Sequence, residues 1–154
     1  MDDTNQLEYV GFWLRVWASI IDTVLVLAIT TPLLLAIYGR ERLAAGITFS
    51  GFANFLISYV FPAVAVLLFW SFRQATPGKM AISARIVDAR TGGPTSVGQN
   101  IIRYLGYFPS TFVFCLGLIW VGLDKRKQGW HDKLAGTVVV RPKRGNVEPV
   151  RFEA

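Results

Sequence analysis

Arg15 and Asp22 stand seven residues apart in an otherwise apolar stretch. Seven residues is two helical turns, so the pair shares one helix face at roughly 10 Å separation. Ala18 and Ser19 lie between them, giving a narrow polar stripe with small residues that suits close packing against another helix. Asp22 follows Phe12 by ten residues, about 15 Å of helix, which is close to mid-membrane for a helix that enters lipid at Phe12. A carboxylate at that depth costs about 2.5–3.5 kcal/mol on insertion scales. Either a cation pairs with it or it keeps its proton. Two chemistries follow: a buried ion pair that fixes helix packing, or a proton, cation or substrate site, since intramembrane ionisable residues mark such pathways.

Asn54 and Ser58 lie one turn apart on a second apolar run, with Pro62 following on the same face. They form either a partner surface for Asp22 or a simple interhelical hydrogen-bonding pair. The stretch from Asp124 to Thr137 concentrates charge after the last apolar run. Its plain reading is a basic interfacial anchor with Trp130 among the headgroups. His131, the only histidine, is either a proton-handling neighbour of Asp132 or a surface residue. Thr76-Pro77-Gly78-Lys79 lacks the earlier glycine and the following Ser or Thr of a phosphate-binding loop. It reads as a tight turn with Lys79 at the interface. Cys115 is the only cysteine, which excludes an intramolecular disulfide and a Cys-based metal site. Gly-x-Ser-x-Gly, His-Glu-x-x-His and metal-spaced carboxylates are all absent, so no enzyme, metal or cofactor is expected.

The elements that must position these residues are written in the hydropathy. Apolar residues make up 53% of the 154 and charged residues 17%, against about a quarter charged in soluble domains. Mean hydropathy is +0.42. The first apolar run, Phe12 to Tyr38, and the second, Phe52 to Phe72, each exceed the roughly 20 residues that cross a bilayer. Asp2, Asp3 and Glu8 replace the basic region of a cleaved leader, so the first run is expected to be retained. Residues 80–97 read as a short strand and turn, and Thr137 to Val140 as a second strand ended by Pro142. The run from Ile101 to Leu123 is interrupted at Phe108-Pro109-Ser110. Residues 73–103 hold five Lys or Arg and residues 125–151 hold eight. The positive-inside rule puts both groups on the cytoplasmic side. A broken, re-entrant segment satisfies this and a single kinked third span does not. The net charge of +6 therefore points to a membrane surface and not to nucleic acid.

Taken together, Arg15-Val-Trp-Ala-Ser-Ile-Ile-Asp22, Thr76-Pro-Gly-Lys79 with Arg85-Ile-Val-Asp88, and Gly129-Trp-His-Asp132-Lys-Leu-Ala-Gly-Thr137 resemble the RDD family of small bacterial membrane proteins. The likeness covers residues 9–142 and leaves 143–154 as a polar, flexible tail. It implies that Arg15 and Asp22 are two of the Arg and two Asp in the family's name, with Asp132 as the third and Asp124 as the alternative. The expected architecture is an all-α, multi-pass protein of the bacterial plasma (inner) membrane. It has two to three transmembrane helices, a broken or re-entrant helical segment and a small cytoplasmic β element. One functional expectation is a proton- or cation-coupled transporter subunit using Asp22, which would require a homo-oligomer to enclose a pathway. The other is a non-transporting assembly or regulatory subunit, bound to another membrane protein, in which an Arg15–Asp22 pair is structural.

Overall fold

The structure, a computed structural model, describes residues 6–41, 51–113, 116–143 and 149–152. It is mostly helical. Strand β1 (Leu7–Tyr9) leads through Gly11 into α1 (Phe12–Tyr38). Helix α2 (Phe52–Arg73) follows, then the short α3 (Pro77–Ala81) and strand β2 (Arg85–Asp88). Next come α4 (Val97–Phe112), α5 (Leu116–Leu123), α6 (Trp130–Ala135) and strand β3 (Thr137–Pro142).

Helices α1 and α2 are each long and apolar enough to cross a membrane. Their outward side chains are apolar: Val24, Leu27 and Ile37 on α1, and Phe55, Leu68 and Phe72 on α2, all lie exposed. Apolar exposure on this scale marks a lipid-facing surface. Pro62 cannot donate to the Ser58 carbonyl, and α2 absorbs the defect as a π-helical turn over Leu56–Val60, where the Phe61 N–H reaches back to the Leu56 carbonyl. Such single widened turns are the usual way a helix takes in an irregularity.

Helices α4 and α5 bend by 99° across a break of at most four residues. The break falls after Phe112 and not at Phe108-Pro109-Ser110, because Pro109 is carried inside α4. Gly117 then lets α5 close on α4: a Cβ there would sit 2.7 Å from Ser110 Cα. Both ends of the bent pair return to one place. Gln99 near its start donates to Asp88 at 2.6 Å, and Arg126 just past its end donates to the Ala89 carbonyl at 2.6 Å.

That place is a three-stranded antiparallel sheet in the order β1-β3-β2. Tyr9 and Arg85 flank Val140 on either side. The run Val138-Val139-Val140 is continuous and β-branched because both of its faces are covered. On one face Val139, Ile86, Ala84 and Val10 pack with Trp70 against Leu14, Val66 and Tyr107 from the helices. On the other, Val138, Val140 and Val87 pack with Val150 and Phe152. Val150 and Phe152 thus lie against the sheet, within the stretch 143–154 that the composition suggested was a polar, flexible tail. Tyr9 Oη donates to the Arg151 carbonyl at 3.0 Å. Strand β1 was not expected from the sequence, and Glu8 on it pairs with Arg141 directly opposite on β3 at 2.5 Å.

Candidate functional site

The centre of the molecule is built from α6 outward. Gly129 is the N-cap of α6, and Asp132, three residues on, reaches back to accept the Gly129 N–H at 3.0 Å. This is the acidic half of a capping box. Asp132 has no solvent exposure. Its Oδ2 also accepts from Arg15 Nη1 at 2.5 Å, and its Oδ1 lies 2.6 Å from Arg103 Nη1. Two guanidiniums, one from α1 and one from α4, therefore bracket one carboxylate.

Each arginine binds further groups. Arg15 Nε donates to the Val10 carbonyl at 3.0 Å and Nη2 to the Lys127 carbonyl at 2.6 Å. Arg103 Nη1 donates to Thr137 Oγ1 at 2.8 Å, and its guanidinium lies 5.2 Å from the Trp70 ring centroid on α2. The cluster ties α1, α2, α4, α6 and β3 together. Burial pushes the Asp132 carboxyl up, and Arg103 and Arg15 more than offset this, holding it well below the usual carboxylate range. Burial lowers His131 from an ordinary 6.5 to about 3, against the opposing pull of Asp132. The ring is neutral, buried and stacked on Tyr107 with centroids 4.0 Å apart. Neither of its nitrogens has a hydrogen-bond partner among the described residues.

Asp22 lies outside this cluster. Its Oδ2 accepts from Thr76 Oγ1 at 2.5 Å and its Oδ1 from the Gly78 N–H at 2.7 Å. It serves as an N-terminal cap for α3, supplied from a different helix. Gly78 is required by the approach: a Cβ there would stand 2.0 Å from the Ala18 carbonyl oxygen. The expected Arg15–Asp22 pairing is thus corrected. The two share a helix, and each takes its partners from elsewhere in the chain.

Asn54 and Ser58 are not a surface for Asp22 either. Ser58 Oγ donates to Asn54 Oδ1 at 2.9 Å, and the Asn54 N–H donates to Tyr38 Oη at 3.1 Å. Tyr38 is 16 residues past Asp22, about 24 Å along the helix. Asp124 accepts the Arg126 and Gln128 N–H groups at 3.1 Å and pairs with Lys133 at 2.5 Å, so it organises the turn before α6. Cys115 lies outside the described residues.

A crevice of about 420 Å³ opens between α1 and α5, lined by Arg15, Ser19, Lys79, Tyr107, Leu118 and His131 among others. The sequence put Lys79 at the interface in a turn. It is instead on helix α3 and only 7% exposed. Burial pushes its ammonium down from the ordinary lysine value. Its Nζ lies 6.0 Å from the Trp70 ring centroid, and Tyr107 and Asp22 act on its charge against the effect of burial. Arg103 was also missed as a site residue, although a lone Arg in the apolar run of 101–123 is itself a signal of a buried partner. Among the described residues no group of three or more His, Cys, Asp or Glu could hold a metal ion.

The model of the RDD family matches residues 9–136. The chain belongs to the RDD family. It is 29% identical over 141 residues to the uncharacterized membrane protein YteJ of Bacillus subtilis, covering 88% of this chain and 82% of that one. It is 35% identical over 75 residues to the uncharacterized protein RP437 of Rickettsia prowazekii, covering 49% of this chain and 41% of that one. The proline-rich antigen of Mycobacterium leprae is 23% identical over 92 residues, which is 57% of this chain and 37% of that protein. The chain thus spans well under half of the length of two of these relatives. No solved structure matches it. With two helices fit to cross a bilayer, this RDD chain is an integral membrane protein.

Proposed function

We propose that this RDD protein is a non-transporting assembly or regulatory subunit of the bacterial plasma membrane, in which the Arg and Asp residues are structural. The observation that carries this reading is the engagement of Asp22: both of its oxygens are taken by Thr76 and Gly78 of α3. A carrier carboxylate has to exchange its partners for a proton or cation, and releasing Asp22 would uncap α3. Asp132 is held by two arginines and is no freer.

In this reading α1 and α2 both cross the membrane and the bent α4–α5 pair enters and leaves on one side. The sheet and both basic segments then face the cytoplasm. The positive-inside rule and the shared anchorage of Gln99 and Arg126 on one strand end and its turn support that orientation. A homo-oligomer, which transport would demand of so small a chain, is not required.

The test is pH- and cation-driven flux in proteoliposomes, run on the wild type and on Asp22→Asn, with thermal stability in detergent measured alongside. The expected result is flux no greater than in empty vesicles, and a lower melting temperature for Asp22→Asn. Wild-type flux that vanishes in a stably folded Asp22→Asn protein would establish the transporter reading instead.

A further inference from the structure

The crevice between α1 and α5 is graded along its length. The α1 residues that line it are Phe12, Arg15, Val16, Ser19, Ile20, Thr23 and Val24, a single stripe at helical spacing that runs about 18 Å. Its sheet-side end is polar, where Arg15 and Ser19 meet Lys79 and His131. Toward its other end the α1 lining turns to Ile20, Thr23 and Val24, and Leu118 and Ile119 supply the α5 wall.

The polar end holds an excess of positive charge. Arg15, Lys79 and Arg103 face the carboxylates of Asp22 and Asp132, which leaves one cation uncompensated. Lys79 is that cation in geometric terms, since it has no hydrogen bond or ion pair among the described residues. Asp22 offsets the burial of the Lys79 ammonium only in part, and a buried ammonium without a direct partner is costly. Neutral His131 adds one N–H donor without a hydrogen-bond partner among the described residues, its Nε2 standing 3.5 Å from Asp132 Oδ1. An excess of positive charge of this kind favours an oxyanion over a metal cation.

Depth identifies what the oxyanion is attached to. Trp13 and Trp17 on α1 are 73% and 60% exposed, and Trp120 on α5 is 41% exposed. Tryptophans at one end of a crossing helix mark the headgroup layer, so the crevice opens at that level with its apolar end toward the acyl chains. We propose that this crevice binds one anionic membrane phospholipid, its phosphate on Lys79 and Arg15 and an acyl chain along Val16, Ile20 and Leu118. This goes beyond the subunit reading and stands whether or not Asp22 carries ions.

The test uses the full chain in neutral detergent, titrated with dioleoyl-phosphatidylglycerol or dioleoyl-phosphatidylcholine and followed by native mass spectrometry and melting temperature. One phosphatidylglycerol should bind per chain at least about fivefold more tightly than phosphatidylcholine and raise the melting temperature. Lys79→Met should abolish that preference, and Ile20→Trp, which fills the apolar end without touching a charge, should abolish first-site binding. Should Lys79→Met fail to fold, Ile20→Trp decides alone. Unchanged phosphatidylglycerol preference in the folded variants would overturn the proposal. So would inorganic phosphate that reproduces the melting shift and displaces the lipid, which would make the crevice a site for free anions.

Discussion

A carboxylate with no solvent exposure persists as an anion only where its charge is matched, and Asp132 meets that condition through Arg15 and Arg103 on two different helices. The sequence pointed to Arg15 and Asp22 because seven-residue spacing is visible in one dimension. A partner 117 residues away leaves no such mark, and only the resemblance to the RDD family drew Asp132 into the candidate set. His131 was legible as unusual and not as buried. Its folded value of about 3 lies below its ordinary 6.5, so between those limits the unfolded chain binds a proton that the folded chain does not. Stability therefore falls as pH drops through this window, by up to about 1.4 kcal/mol per pH unit. Asp88, Asp124 and Asp132 are lowered from 3.8, so their contributions are lost only below that value. Between pH 6.5 and 4 the slope of melting temperature against pH should flatten in His131→Phe. An unchanged slope would mean that the ring is solvated.

At the scale of elements, the two spans were legible because uninterrupted apolar length is a strong signal. The short pieces were not. Thr76-Pro77-Gly78-Lys79 carries a helix start, with Thr at the N-cap and Pro at the first helical position, yet these four residues fit a turn equally well. The bend in the third apolar run was expected at Pro109 and comes one turn later, since the Gly117–Ser110 contact that folds α5 back has no local signature. Strand β1 is three residues long, too short for alternation to register. The seam between α1 and α3 gives a sharp test of packing. Gly78→Ala drives a methyl group into the Ala18 carbonyl, a backbone atom that cannot swing aside, and should cost at least about 1–3 kcal/mol. Gly98→Ala, whose Cβ would meet nothing closer than Ser96 Oγ at 3.9 Å, should be neutral or stabilising by less than about 1 kcal/mol. Melting temperatures of the two variants in detergent check the contrast.

For the whole molecule, the sheet and the charge cluster act as a plate from which α1, α2 and the α4–α5 pair project. The chain enters α1 from β1 and leaves α2 beside β2, so both spans meet the plate at one end, and Arg40 lies at the other. Cysteines introduced singly at Thr91, Lys125 and Arg40, all exposed, in a Cys115→Ala background should label from two sides. Thr91 and Lys125 should react from the cytoplasm and Arg40 from outside. Labelling of Thr91 and Lys125 from opposite sides would make α4 and α5 a third crossing.

The central claim is that Arg15 is locked to Asp132 across the length of the chain, with Asp22 engaged separately as the cap of α3. Double-mutant cycles on stability measure this most directly, with Arg15→Gln combined with Asp132→Asn in one cycle and with Asp22→Asn in the other. The account predicts that Asp132→Asn alone, which strands two buried guanidiniums, costs about 3–5 kcal/mol. Arg15→Gln should then recover part of that loss, a coupling above about 1 kcal/mol, while the Arg15/Asp22 cycle stays additive within about 0.5 kcal/mol. Strong coupling between Arg15 and Asp22 with none between Arg15 and Asp132 would contradict it.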